Sequence, residues 1–137
     1  MNTKRLVAYG ALVGGSVFLF IFLVTTTWIG FSVREKCELA KEKYEGGLSA
    51  GRQGCTEAMS QYLDDEQNPI GERNHMIWAL GQLGEPGALP ILEKYYTGDI
   101  PDREPWNSVI SQYELRKAVK LARGGFNAGA LVWRLGW

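Results

Sequence analysis

Hydrophobic and polar positions divide the 137-residue chain into two unequal stretches. Residues 6–33, "LVAYGALVGGSVFLFIFLVTTTWIGFSV", hold no charged side chain. Such a run exceeds the roughly 18 to 20 apolar residues a helix needs to cross about 30 Å of hydrocarbon, so it predicts a transmembrane helix. It is also longer than the roughly 7 to 15 apolar residues of a cleavable signal peptide, and no Ala-x-Ala site follows it. An uncleaved signal anchor is therefore expected, with Lys4 and Arg5 snorkelling to the headgroups and Tyr9 and Trp28 near the two interfaces. Gly10 and Gly14 form a G-x-x-x-G pair, repeated one step on by Ala11 and Gly15. That spacing lets helix backbones approach closely, and the pair is expected to pack against other membrane helices.

Beyond residue 33 the apolar positions recur at helical spacing, with no run of strict alternation. Helices are predicted over 34–45, 55–65, 72–83 and 88–96. Cys37, Ala40 and Tyr44 share the first face, and Cys55, Met59, Tyr62 and Leu63 the second. Met76, Leu80 and Leu83, flanked by Ile77 and Ala79, line the third; Ala88, Ile91, Leu92, Tyr95 and Tyr96 line the fourth. Gly84-Glu85-Pro86-Gly87 reads as the joint of a helical hairpin: Gly84 can take the left-handed conformation that ends a helix, and Pro90 suits the first turn of the next. In 111–137, Leu115, Ala118, Val119 and Ala122 form a further stripe, Gly124 and Gly125 a break, and "FNAGALVWRLGW" a final short helix. The longest irregular connection is "TGDIPDREPWNSV", where Pro101, Pro105 and Trp106 suggest an ordered loop. Isolated helices shorter than about 12 to 15 residues are marginal in water, so these must pack together. The expected organisation is an all-α chain with residues 1–33 as tail and anchor and residues 34–137 as one helical domain.

The two cysteines change this picture by adding a compartment. With 34–65 folded as an antiparallel hairpin about the glycine-rich "GGLSAGRQG", Cys37 and Cys55 sit at comparable heights and are expected to form a structural disulfide. Two buried free thiols acting as small hydrophobes are the alternative. A disulfide requires an oxidising environment, which favours a single-pass protein of the bacterial inner membrane with its carboxy-terminal domain in the periplasm. Arg34, Lys36, Lys41 and Lys43 follow the span closely, and a literal count of positive residues favours a cytoplasmic-facing domain instead.

The joint also carries a resemblance. "WALGQLGEPGALPILEKYY" resembles a HEAT-type repeat, especially the short bacterial form that is also found in phycobilin-lyase relatives. Ala79-Leu80-Gly81, Leu83-Gly84, Glu85-Pro86, Ala88-Leu89-Pro90 and Leu92 stand at the family's positions, with Glu85 where Asp is usual. Only one clear copy is present. The resemblance implies a short α-solenoid of about three helical hairpins, since a single repeat cannot bury its own faces. It implies a scaffold or accessory subunit mediating protein–protein interaction in a larger membrane assembly. A ligand-binding protein or lyase-like enzyme on the same repeats is the alternative.

Candidate chemistry is sparse. His75 is the single histidine and reads as a surface or packing residue. No H-E-x-x-H, C-x-x-C, P-loop or G-x-S-x-G pattern occurs, and Asp64, Asp65 and Glu66 read as solvated charges. No catalytic residue, cofactor or metal site is expected. Removing Lys4 and Arg5 from the 15 basic residues leaves 13 against 15 acidic ones, a balance that does not favour nucleic acid as a partner. In the tail Arg116, Lys120 and Arg123 share a helical face opposite the apolar stripe, either solvated or meeting an acidic partner or lipid headgroups. Trp106, Tyr113, Phe126, Trp133 and Trp137 crowd the same region, and aromatics with arginine are enriched at interfaces. Arg116, Lys120, Arg123, Trp133, Arg134 and Trp137 are accordingly expected to bind a partner, or the tail to close the end of the stack. Other membrane subunits are the expected partners, the bilayer is met through residues 6–33, and a homodimer is a further reading.

Overall fold

A computed structural model describes residues 3–44 and 49–137. Its described residues form six α-helices and no strand. The first, α1 (Thr3–Lys43), is one helix of 41 residues, long and apolar enough to cross a membrane. It contains no proline, and its internal hydroxyls do not compete with the helix. Ser16 donates 2.8 Å to the Leu12 carbonyl and Thr25 2.8 Å to that of Ile21. Residues 3–25 are exposed, apart from half-buried Phe22. From there a buried stripe of Thr26, Gly30, Val33, Cys37 and Ala40 follows the three-and-four spacing of one helical face. The boundary expected at residue 33 falls inside this helix, and the domain packs back to Thr26.

The second helix, α2 (Gly51–Asp64), begins earlier than expected, and its direction corrects the sequence reading. Cys37 bonds Cys55, and Tyr44 stacks edge-on against Tyr62 at 6.2 Å. Both contacts join residues eighteen apart in the chain, so α1 and α2 run parallel and are not an antiparallel hairpin. Ser49 is beside Glu57, which accepts 2.9 Å from its backbone N–H and 2.8 Å from its hydroxyl. Gly46, Gly47 and Leu48 of the expected connection lie outside the described residues.

A polar cluster ties the far ends of α1 and α2. Asp65 accepts from the Tyr44 hydroxyl at 2.6 Å and from Lys43 at 3.1 Å, and Asn68 donates 2.8 Å to the Tyr62 carbonyl. The Tyr44 hydroxyl, the Gln67 backbone N–H and Lys43, in that order, pull the Asp65 carboxyl down to about 2. A depressed folded-state pKa contributes stability that is complete above the ordinary carboxylate value of about 4 and lost as pH falls below it. The melting temperature is therefore expected to drop between pH 4 and about 2, with a shallower slope in Asp65→Asn. Equal slopes by circular dichroism would remove Asp65 from the account.

The third helix, α3 (Ile70–Leu83), is the hub. Arg73, Asn74, Met76, Ile77, Ala79, Leu80, Gly81 and Leu83 are all buried, because α1, α2 and α5 surround it. It runs antiparallel to α2, with Arg73 donating 2.8 Å to the Leu63 carbonyl at one end and Arg52 3.3 Å from Glu85 at the other. Gly84 ends α3 at φ 63°, the left-handed conformation that glycine adopts without a Cβ penalty. A 3-10 turn over Pro86–Ala88 leads into α4 (Leu89–Tyr95), which packs mainly on α5.

The fifth helix, α5 (Gln112–Ala122), buries Leu115, Ala118, Val119 and Ala122, the stripe read from the sequence. It runs parallel to α3: Asn74 meets Ser111, and the same separation of 37 residues puts Gly81 against Ala118. A Cβ at Gly81 would stand 2.8 Å from the Ala118 Cα, so this glycine sets how closely the two helices approach. The last helix, α6 (Ala128–Trp133), is capped by Asn127 and packs on α1. The core between these helices is filled by Met59, Leu63, Met76, Ile77, Leu80, Leu83, Leu92 and Leu115.

Candidate functional site

Just past the free part of α1, the helix and its neighbours enclose a cleft of about 420 Å³. Trp28, Ser32, Glu35 and Lys36 line it from α1, His75 and Trp78 from α3, Trp106 from the following loop and Glu114 from α5. Three indoles thus converge from residues far apart in the chain. The Trp106 ring lies 5.2 Å from that of His75, tilted by 56°. Lys36 bridges to Glu72 at 3.1 Å, and His75 Nδ1 stands 3.7 Å from the same carboxylate. Glu114 pairs with Lys117 at 2.7 Å. The cleft therefore combines a broad apolar aromatic floor with a rim of both charge signs.

One buried amide builds the wall that carries Trp106. Asn74 is fully buried, and its Nδ2 donates 2.7 Å to the Trp106 carbonyl and 2.8 Å to that of Val109. Its Oδ1 accepts 2.9 Å from the Ser111 backbone N–H. Glu104 closes the other side of the same loop, accepting 2.7 Å from the Ser111 hydroxyl and 2.6 Å from the Gln112 N–H. A carboxylate on the first N–H groups of a helix satisfies otherwise orphaned donors and complements the helix dipole. These contacts make 97–110 an ordered loop. Neither Asn74 nor Glu104 stood out in the sequence, because each lies among other polar residues, at 72–75 and 101–105.

The expected site residues separate into four places. Cys37 and Cys55 are joined as a disulfide, with Cα atoms 5.0 Å apart and both side chains 1% exposed. Gly10 and Gly14 lie on the free part of α1, where an added Cβ would meet nothing within 4 Å. Arg116, Lys120 and Arg123 are exposed along α5; Arg123 pairs with Glu93 at 2.6 Å, and the Arg116 guanidinium stands 5.4 Å over the Tyr113 ring. The remaining three fold back onto the domain.

Trp133, expected to bind a partner or to help the tail close the end of the stack, is 7% exposed. A Cβ at Gly30 would stand 2.8 Å from the Trp133 Cβ, so the absence of a side chain there admits the indole. Trp137 meets Trp133 edge-on at 5.8 Å and lies under the Arg34 guanidinium at 5.3 Å, while Arg134 donates to the Gln82 carbonyl. Arg34 in turn donates to the Gly136 carbonyl. Among the described residues no group of three or more His, Cys, Asp or Glu side chains is placed to hold a metal ion. Compared with protein-family models, curated proteins and solved structures, the chain has no significant match in any of the three.

Proposed function

We propose that this chain is a membrane-anchored helical scaffold or accessory subunit that holds a protein partner close to the bilayer surface. The observation that carries the reading is the tryptophan-lined cleft immediately beyond the free part of α1. Buried aromatic anchors within a polar rim are what protein partners use for most of their binding energy. The exposed faces of Gly10 and Gly14 support packing of the span against neighbouring helices. The parallel step of 37 residues from α3 to α5 supports a HEAT-like stack, since it falls just under the roughly 40 to 47 residues of such repeats. The Cys37–Cys55 disulfide supports an exported domain, in the periplasm if the host is bacterial.

The test is purification in mild detergent with identification of co-migrating subunits. Trp78→Ala is expected to reduce the recovered partner by about tenfold or more, with some loss of stability as well, because Trp78 also packs against the core. Unchanged recovery would sink the reading. A second reading, a small apolar ligand in the same cleft, is favoured by its volume of about 420 Å³, which lies within the roughly 300 to 1,000 Å³ of small-molecule sites. Native mass spectrometry showing a retained ligand, lost in Trp78→Ala, would favour that alternative.

A further inference from the structure

From the packing of α6 on α1, we propose that the carboxy-terminal segment 124–137 is a second membrane contact, seated in the interfacial layer of the bilayer beside the span. This rests on the reading of α1 as a membrane anchor. Gly129 stands beside Thr26, Trp133 beside Gly30 and Gly136 beside Arg34. These contacts advance together along both helices, so α6 runs parallel to α1 and its residues can be placed by depth. Leu131 is about level with Trp28 and, extended past the ends of α6 in the same direction, Phe126 falls near Leu23 and Leu135 near Ser32.

Depth along the span follows from helix geometry. Twenty residues rise about 30 Å, the thickness of the hydrocarbon. Counted from Leu6, just inside Arg5, the hydrocarbon ends near Thr25. Phe126 then reaches the acyl boundary, and Leu131 lies about 5 Å further out, among the headgroups. Leu135 lies about 10 Å out, just beyond the roughly 5 to 7 Å of headgroups. These are the side chains the fold leaves uncovered: Phe126 is 81% exposed, Leu131 58% and Leu135 88%. In water the exposure of Phe126 and Leu131 is a cost, and at their depth lipid covers it.

The charge-free stretch is explained by the same placement. Residues 26–33 exceed what the hydrocarbon requires, and α6 covers one face of them, with Gly129 on Thr26 and Trp133 on Gly30. The basic end of α5 faces the same way. Lys36 meets Glu72 while Arg134, beside residues 30–34, meets Gln82, so α3 runs antiparallel to α1. Because α5 is parallel to α3, its carboxy-terminal end lies on the bilayer side, with Lys120 exposed and Arg123, the capping residue, paired to Glu93. Gly125 is packed under the Lys120 carbonyl, which keeps those cations within a few residues of Phe126. An aromatic wedge beside lysine and arginine suits an anionic lipid surface.

The experiment uses the full chain in vesicles of phosphatidylcholine and phosphatidylglycerol. Single cysteines replace Phe126, Leu131, Leu135, Phe18 and Asp102 in separate variants, each carrying an environment-sensitive fluorophore. Labelling without reductant spares Cys37 and Cys55, which are disulfide-bonded. Lipids bearing a nitroxide high on the acyl chain are the quencher. The label at Phe126→Cys is expected to lose about half of its fluorescence or more. Leu131→Cys should lose less, Leu135→Cys least of the three, and Asp102→Cys none. Quenching at Phe18→Cys without quenching at 126 and 131 beyond that at 102 overturns this proposal and leaves the anchor standing. Labels at 126 and 131 that are blue-shifted but unquenched also overturn it, since protein would then cover them. A label at Phe18→Cys untouched by lipid quenchers overturns the anchor and this proposal together.

Discussion

Asn74→Ala is expected to destabilise the domain by about 2 kcal/mol, because one buried and two part-buried backbone groups lose their partner at once. Those groups are the carbonyls of Trp106 and Val109 and the N–H of Ser111. Each buried polar group left unsatisfied costs roughly 1 to 3 kcal/mol, and relaxation of the loop recovers part of the sum. The location of the loss matters as much as its size. Asn74 joins the hub helix to the loop that carries Trp106 and to the start of α5, so its removal frees one wall of the cleft. Urea unfolding measures the stability, and hydrogen exchange at the Ser111 amide reports the loop. A variant within about 0.5 kcal/mol of the parent, the ordinary range for surface substitutions, would mean that the amide is not the fastener described here.

Removing the disulfide has a comparable effect by a different route. The double replacement Cys37→Ala with Cys55→Ala is expected to cost about 3 kcal/mol, the loop-closure entropy of a cross-link spanning eighteen residues. In a domain of this size that corresponds to roughly 10 to 20 °C in melting temperature. The parallel arrangement of α1 and α2 raises the stakes. A tight turn between antiparallel helices would set their register, and parallel neighbours have no such turn. Register is then held by the bridge at one level and by Tyr44, Asp65 and Asn68 at another. Thermal melts with and without reductant check the expectation, and superimposable curves would refute it. Acid and reductant together should loosen α2 from α1 more than either alone, since the two fastenings are separate.

Legibility in the sequence followed the range of the interaction. The buried stripe of α5, the face of α2, the cap at Gly84 and the pairing of Cys37 with Cys55 were all readable. Each depends on spacing along one helix, on a residue with few conformational options or on a single kind of bond. The direction of α2 was not readable, because periodicity says which face is buried and is silent on whether neighbours run parallel or antiparallel. The burial of Trp133 was equally hidden. It depends on Gly30, and nothing local links a glycine in an apolar helix to an indole near the other end of the chain. The cleft escaped for the same reason, since Trp28, Trp78 and Trp106 converge only when α1, α3 and the loop are assembled.

The sequence by itself determined the helical class, the long apolar helix and the faces that must be buried, because these follow from residue chemistry at fixed local periods. Only the tertiary structure decided which faces meet. Partner choice between helices depends on shape, on where glycine permits close approach and on where a buried amide finds three backbone groups. Those conditions bring Trp133 to Gly30, Ala118 to Gly81 and Ser111 to Asn74, joining residues that lie dozens of positions or more apart.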